Sequence, residues 1–101
     1  MKKVLILSAA IILSSLASAS FAGDAATGKA KSAICSGCHG ANGISNSDVW
    51  PNLAGKKQAY LANALQMYRD GRRKNKMMSA RAKNLTDADI ANLAAYYASL
   101  K

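Results

Sequence analysis

Cys35-Ser36-Gly37-Cys38-His39 is the stretch on which the reading of this chain turns. Two thiols stand three positions apart and an imidazole follows directly. On a helix, positions i, i+3 and i+4 share one face, so all three side chains project to the same side. C-x-x-C-H is the attachment signature for c-type haem. Cys35 and Cys38 can then each form a thioether to one of the two porphyrin vinyl groups. His39 offers a ring nitrogen to the iron, and the covalent links keep that ligand from drifting away.

Other uses of the motif fit less well. A thioredoxin-type redox pair also uses C-x-x-C, but in a βαβ setting, and the sequence has no run of convincing strand alternation. A structural zinc site takes four ligands, and the chain holds only Cys35, Cys38 and His39. A surface disulfide would account neither for the histidine nor for the thin core described below. One haem c, bound through two thioethers, is the expected cofactor.

His39 is the only histidine, so a second axial imidazole is impossible. The sixth iron position is left to a methionine, a lysine, a diffusible ligand or nothing. Met67 lies within a helical stretch beside Leu65 and Tyr68 and reads as a core filler. Met77 and Met78 follow a very basic run, where apolar residues need a reason to point inward. A soft thioether on haem iron is such a reason, since Met/His ligation is the pattern of electron-transfer cytochromes.

Working outward, residues 1–22 read as a secretory signal peptide. Lys2 and Lys3 precede an uncharged run from Val4 to Leu16, and Ser20-Phe21-Ala22 gives a small-x-small cleavage site. Ala17-Ser18-Ala19 fits a cut as well. The run is shorter than the roughly 20 residues a membrane span needs. Cleavage after Ala22 leaves one domain, 23–101, of 79 residues with a net charge of +7 and no glutamate. That length is near the lower limit for a self-sufficient core. Sixteen alanines stand there against eighteen larger apolar residues, cysteines aside. Such a chain needs a staple, and one cysteine pair three residues apart closes too small a loop to be it. The missing core volume points to a bound cofactor, and multi-domain, polytopic and disulfide-rich architectures are excluded.

The rest reads as helices joined by irregular loops. Asp24 is a plausible N-cap for a helix to about Cys38. Residues 40–55 form a loop with the only proline, Pro51. Lys57 to Asp70 carries Leu61, Leu65 and Tyr68 at helical spacing, with Gly71 as its stop. Arg72 to Leu85 reads as a basic, polar loop. Thr86-x-x-Asp89 is a capping-box variant opening a helix whose stripe is Ile90, Leu93, Tyr97 and Leu100. The class is all-α, with three to four helices packed around one covalently bound haem. Trp50 and the tyrosines read as haem wall and core.

At this point the sequence resembles the class I cytochromes c, of the small bacterial monohaem kind and the single lobes of dihaem relatives. The matching pieces are Gly28, Cys35-Ser-Gly-Cys38-His39-Gly40, Pro51-Asn-Leu-Ala-Gly55, Tyr60-Leu61, and Leu85-Thr-Asp-Ala-Asp89-Ile90 through Ala95-Tyr96-Tyr97. The resemblance implies that the methionine ligand is Met78, seven residues before Leu85. It implies that the Pro51 carbonyl accepts a hydrogen bond from His39, which would fix the ring and raise its basicity. It also implies that the first and last helices cross closely at Gly28, a helical glycine that would otherwise cost about 1 kcal/mol.

Arg69, Arg72, Arg73, Lys74, Lys76, Arg81 and Lys83 crowd fifteen residues in which Asp70 is the only acid. The plain reading is a solvated face. Nucleic acid fits poorly with an exported haem motif. Redox proteins with acidic docking surfaces fit better, because such encounters are electrostatically steered. The expected function is a periplasmic, monomeric electron carrier with no membrane span after cleavage and no enzyme activity. The alternative is a haem enzyme or sensor with an open sixth iron site.

Overall fold

The computed structural model describes residues 22–101. The leader read over 1–22 therefore lies outside it, Ala22 excepted. Five helices follow one another: α1 Ala25–Lys31, α2 Ala33–His39, α3 Gln58–Asp70, α4 Lys76–Ala82 and α5 Asp87–Ser99. The described residues form no strand, and the all-α class expected from the sequence is the observed one.

Five helices stand where three to four were expected and three helical stretches were named, and both additions to those stretches have local causes. The first expected helix is interrupted at Ser32. Its hydroxyl donates to the Lys29 carbonyl at 2.6 Å. Its N–H is shared between the carbonyls of Gly28 at 2.9 Å and Lys29 at 3.2 Å. A serine that binds the preceding turn in this way competes with the regular ladder. The result splits one long helix into α1 and α2. The expected loop from Arg72 to Leu85 instead contains α4. Asn75 sits in extended backbone, and its side-chain oxygen accepts from the N–H groups of Met77 at 3.1 Å and Met78 at 3.0 Å. That is an N-cap, and it starts a helix in a run without apolar periodicity.

The other termini follow their sequence signals. Asp24 caps α1 by accepting from the Thr27 N–H at 3.1 Å. Thr86 and Asp89 form the reciprocal capping box at the head of α5, at 3.0 Å each way. Gly71 ends α3 in the left-handed region, φ 80°, where a side chain is strained and glycine is not.

The buried core is Leu61, Ala82, Leu85, Ile90, Leu93, Ala94, Tyr96 and Tyr97. Most of it comes from α5, against which α1 and α3 pack. The crossing of α1 on α5 is close because residue 28 has no side chain. A Cβ there would run into the backbone carbonyl of Asn92 and lie 2.9 Å from the Tyr96 Cβ. The backbone N–H of Asp24 also donates to the Asn92 side chain at 2.7 Å. The remaining helices, α2 and α4, add little to this core and face a cavity.

Candidate cofactor site

The cavity measures about 570 Å³ and is bordered by α2, the 40–57 loop, α3, α4 and α5. That is within the range of small-molecule sites. Cys35, Cys38 and His39 line it from α2, and Met77 and Met78 line it from α4. Leu61, Leu65, Leu85 and Leu93 supply aliphatic wall, and Trp50, Tyr60, Tyr68 and Tyr97 supply aromatic wall. Two thiols, an imidazole and a thioether around one apolar space are the donors and the surroundings that a covalently bound haem requires. The residues fit the group.

His39 is buried, and its Nδ1 lies 2.8 Å from the Pro51 carbonyl oxygen. A carbonyl only accepts, so Nδ1 carries a proton and Nε2 is the nitrogen left to offer a lone pair. The hydrogen bond implied by the resemblance is therefore present. The loop that presents Pro51 is tied down on both sides. Leu53 and Ala54 donate to the Gly43 carbonyl at 2.8 and 3.0 Å, and Ser45 N–H donates to the Asn52 side chain at 2.7 Å. Gly55 N–H donates to the Tyr97 carbonyl at 2.9 Å, which fastens the loop to α5.

The three methionines separate. Met67 does not line the cavity, and its sulfur accepts from the Asn63 amide at 3.6 Å. Met77 and Met78 both line it, Met77 being 49% exposed and Met78 half-buried. The Asn75 cap holds the N–H groups of both. Sequence reasoning missed Asn75 as a positioning residue, although an asparagine just before a helix is a recognisable signal.

Burial pushes the Cys35 thiol up, while Tyr97 and the positive charge of Arg81 pull the other way. Tyr97 is itself raised, first by burial and then by Cys35. The two groups feel each other, yet no hydrogen bond closes between them: the Tyr97 hydroxyl is buried and unpartnered among the described residues.

The basic cluster is not uniform. Arg69 is consumed by structure: it binds Asp70 at 3.0 Å, Asp87 at 2.7 Å and the Leu85 carbonyl at 3.3 Å. Arg72 leans on Asp70 at 3.5 Å. Arg73 lies over the Tyr68 ring, 4.8 Å from its centre. Arg73, Lys76 and Arg81 line the cavity, joined by Lys56 from the other side. Among the described residues no helix is long and apolar enough to cross a membrane.

Comparison with known proteins agrees with this geometry. A family model described as Cytochrome c matches residues 25–101. The chain is 44% identical over 81 residues to cytochrome c-554(548) of Halomonas halodenitrificans, which covers 77% of this chain and 98% of that protein. It is 46% identical over 80 residues to a cytochrome c4 of Pseudomonas aeruginosa, covering 79% of this chain and 40% of that one. The crystal structure of reduced recombinant cytochrome c4 from Pseudomonas stutzeri superposes with a TM-score of 0.75 at 37% identity, covering 79% of this chain and 47% of that one. The chain thus spans less than half the length of these two c4 proteins.

Proposed function

Since the chain belongs to the cytochrome c family, we propose that it is an exported single-haem electron carrier with His39 and Met78 as its axial ligands. The group the family implies is haem c, covalently attached. When bound, it supplies an iron that alternates between Fe(II) and Fe(III), so one electron moves and no substrate bond is made or broken. Cys35 and Cys38 are the anchors. His39 keeps an Nε2 lone pair available because Pro51 holds the proton on Nδ1. Met78 brings a thioether from the opposite helix, a ligand type that raises the potential. The leucine and aromatic walls exclude water. The observation that carries this reading is the single cavity shared by Cys35, Cys38, His39 and Met78.

The protein is read as a carrier, without catalysis of its own. Residues 1–22 are read as the leader that sends it to the periplasm, where it works as a monomer. Lys56, Arg73, Lys76 and Arg81 at the cavity suit redox partners with acidic docking surfaces. Mass spectrometry of the holoprotein should find a chain beginning at Gly23 and heavier by one haem. Optical spectra of the oxidised protein test the ligand. Met78→Ala should abolish the weak far-red thioether-to-iron band and lower the potential, whereas Met77→Ala should keep the band. The reverse pattern assigns the ligand to Met77. A band surviving in the double variant refutes an α4 ligand, and a high-spin parent protein favours an open iron site.

A further inference from the structure

Among the described residues, the Tyr97 hydroxyl is the one buried side-chain polar group without a hydrogen-bond partner. Tyr97 is 3% exposed and its hydroxyl is buried by protein atoms alone. No acceptor lies in hydrogen-bonding position. A buried donor left unmade costs about 1–3 kcal/mol, in a core that has little apolar surface to offset it. Two polar neighbours are at hand, Ser32 and the sulfur of Cys35. Cys35 affects the phenol more strongly than Ser32 does.

The chemical state of Cys35 decides what its sulfur can do. A free thiol is both a weak donor and a weak acceptor, whereas a thioether only accepts. Conversion of Cys35 to a thioether therefore removes a competing donor beside the phenol and leaves an acceptor. The Ser32 hydroxyl spends its proton on the Lys29 carbonyl at 2.6 Å, and its oxygen remains the rival acceptor for the phenol.

We propose that Tyr97 is a positioning residue for the cofactor: in the holoprotein its buried hydroxyl donates to the thioether sulfur of Cys35. The inference rests on the reading that Cys35 carries a thioether. The bond locks one attachment point against α5 and draws electron density from its sulfur. It makes the Cys35 side of the site electronically distinct from the Cys38 side. No proton is transferred and no bond is broken; the phenol stays neutral, as its raised pKa favours.

The test is Tyr97→Phe in the full-length holoprotein, with Ser32→Ala beside it. The number of thioethers, read by mass spectrometry of haem peptides, checks the underlying reading by itself. A Cys35 that carries no thioether in the parent protein overturns that reading, whatever Tyr97 does. With both thioethers present, Tyr97→Phe should lower the midpoint potential and shift the proton resonances of the Cys35 thioether, leaving those of Cys38 in place. It should also raise the unfolding equilibrium constant about fivefold, the scale of one net hydrogen bond. Ser32→Ala should leave the potential and the Cys35 resonances unchanged. An unchanged potential with unmoved Cys35 resonances in Tyr97→Phe overturns the proposal, as does a more stable variant, the mark of an orphan hydroxyl removed. A Ser32→Ala variant that reproduces the Tyr97→Phe shifts gives the bond to Ser32 instead.

Discussion

Where α1 crosses α5, protein packs on protein. Between α2, the 40–57 loop and α4, side chains surround a cavity. The first region is made by contacts that need only the chain itself: a glycine that lets two backbones meet, the Asp24 and Thr86 caps, and the Asp24–Asn92 bond. The second has half-buried thiols, an exposed Met77 and a histidine held by one loop carbonyl. Among the described residues only two large side chains, Ile90 and Leu93, are completely buried, and both belong to α5. The difference teaches which half can stand alone. The helix crossing is chain-encoded, and the cavity side depends on its cofactor for the apolar surface that it lacks.

The largest effect should come from preventing attachment. Cys35→Ala with Cys38→Ala should abolish cooperative melting of the cavity side and sharply lower the yield of stable holoprotein. Circular dichroism on heating checks this. An apoprotein with the helix content and sharp transition of the holoprotein would break the comparison.

Next is the crossing itself. Gly28→Ala places a methyl group against the Asn92 carbonyl, which is backbone and cannot rotate away. We expect a loss of about 3 kcal/mol in denaturant unfolding, the upper part of the range for overpacking, with the visible spectrum of the folded fraction unchanged.

Smaller effects belong to charge. Neutralising Arg73, Lys76 and Arg81 together should slow electron exchange with an acidic protein about tenfold at low salt and flatten its salt dependence. Neutralising Arg72, Lys74 and Lys83 should do less, because Arg72 is partly satisfied by Asp70 and none of the three lines the cavity. Stopped-flow kinetics against ionic strength distinguishes the two sets. Equal slowing would return the cluster to a diffuse solvated face.

The smallest effect is at low pH and concerns the crossing again. Asp89 is held below its ordinary value of 3.8, chiefly by the Thr86 backbone N–H, and Asp24 is lowered too, chiefly by the Thr27 hydroxyl. A carboxylate with a depressed folded pKa adds stability above the unfolded value, and that stability fades as pH falls through the folded one. Urea midpoints should therefore drop as pH is taken below 3.8. Asp89→Asn should flatten that limb and leave the neutral-pH spectrum alone.

Much of the site was legible because its chemistry is contiguous. Cys35, Cys38 and His39 are fixed to one helical face by their spacing, and the helix caps are written in adjacent residues. Gly71 marked its stop for the same reason. What escaped was non-periodic or long-range. Helix α4 has no apolar stripe to announce it; a single side chain, Asn75, starts it. The break at Ser32 arises from a serine hydroxyl choosing a carbonyl within its own turn, which composition does not reveal. The basic run looked uniform until Arg69 and Arg72 met their acids.

The sequence by itself determined the helical class, the attachment motif, the single possible imidazole ligand and the shortage of core. These depend on residue types and on spacings of a few positions, which local geometry converts directly into structure. The tertiary structure alone decided that Met67 stands apart from the cavity while Met77 and Met78 line it. It alone decided which cations border the cavity, and that Tyr97 is left with an unspent proton beside Cys35. Those facts rest on chain segments tens of residues apart being brought into contact, and no local rule of spacing reaches that far.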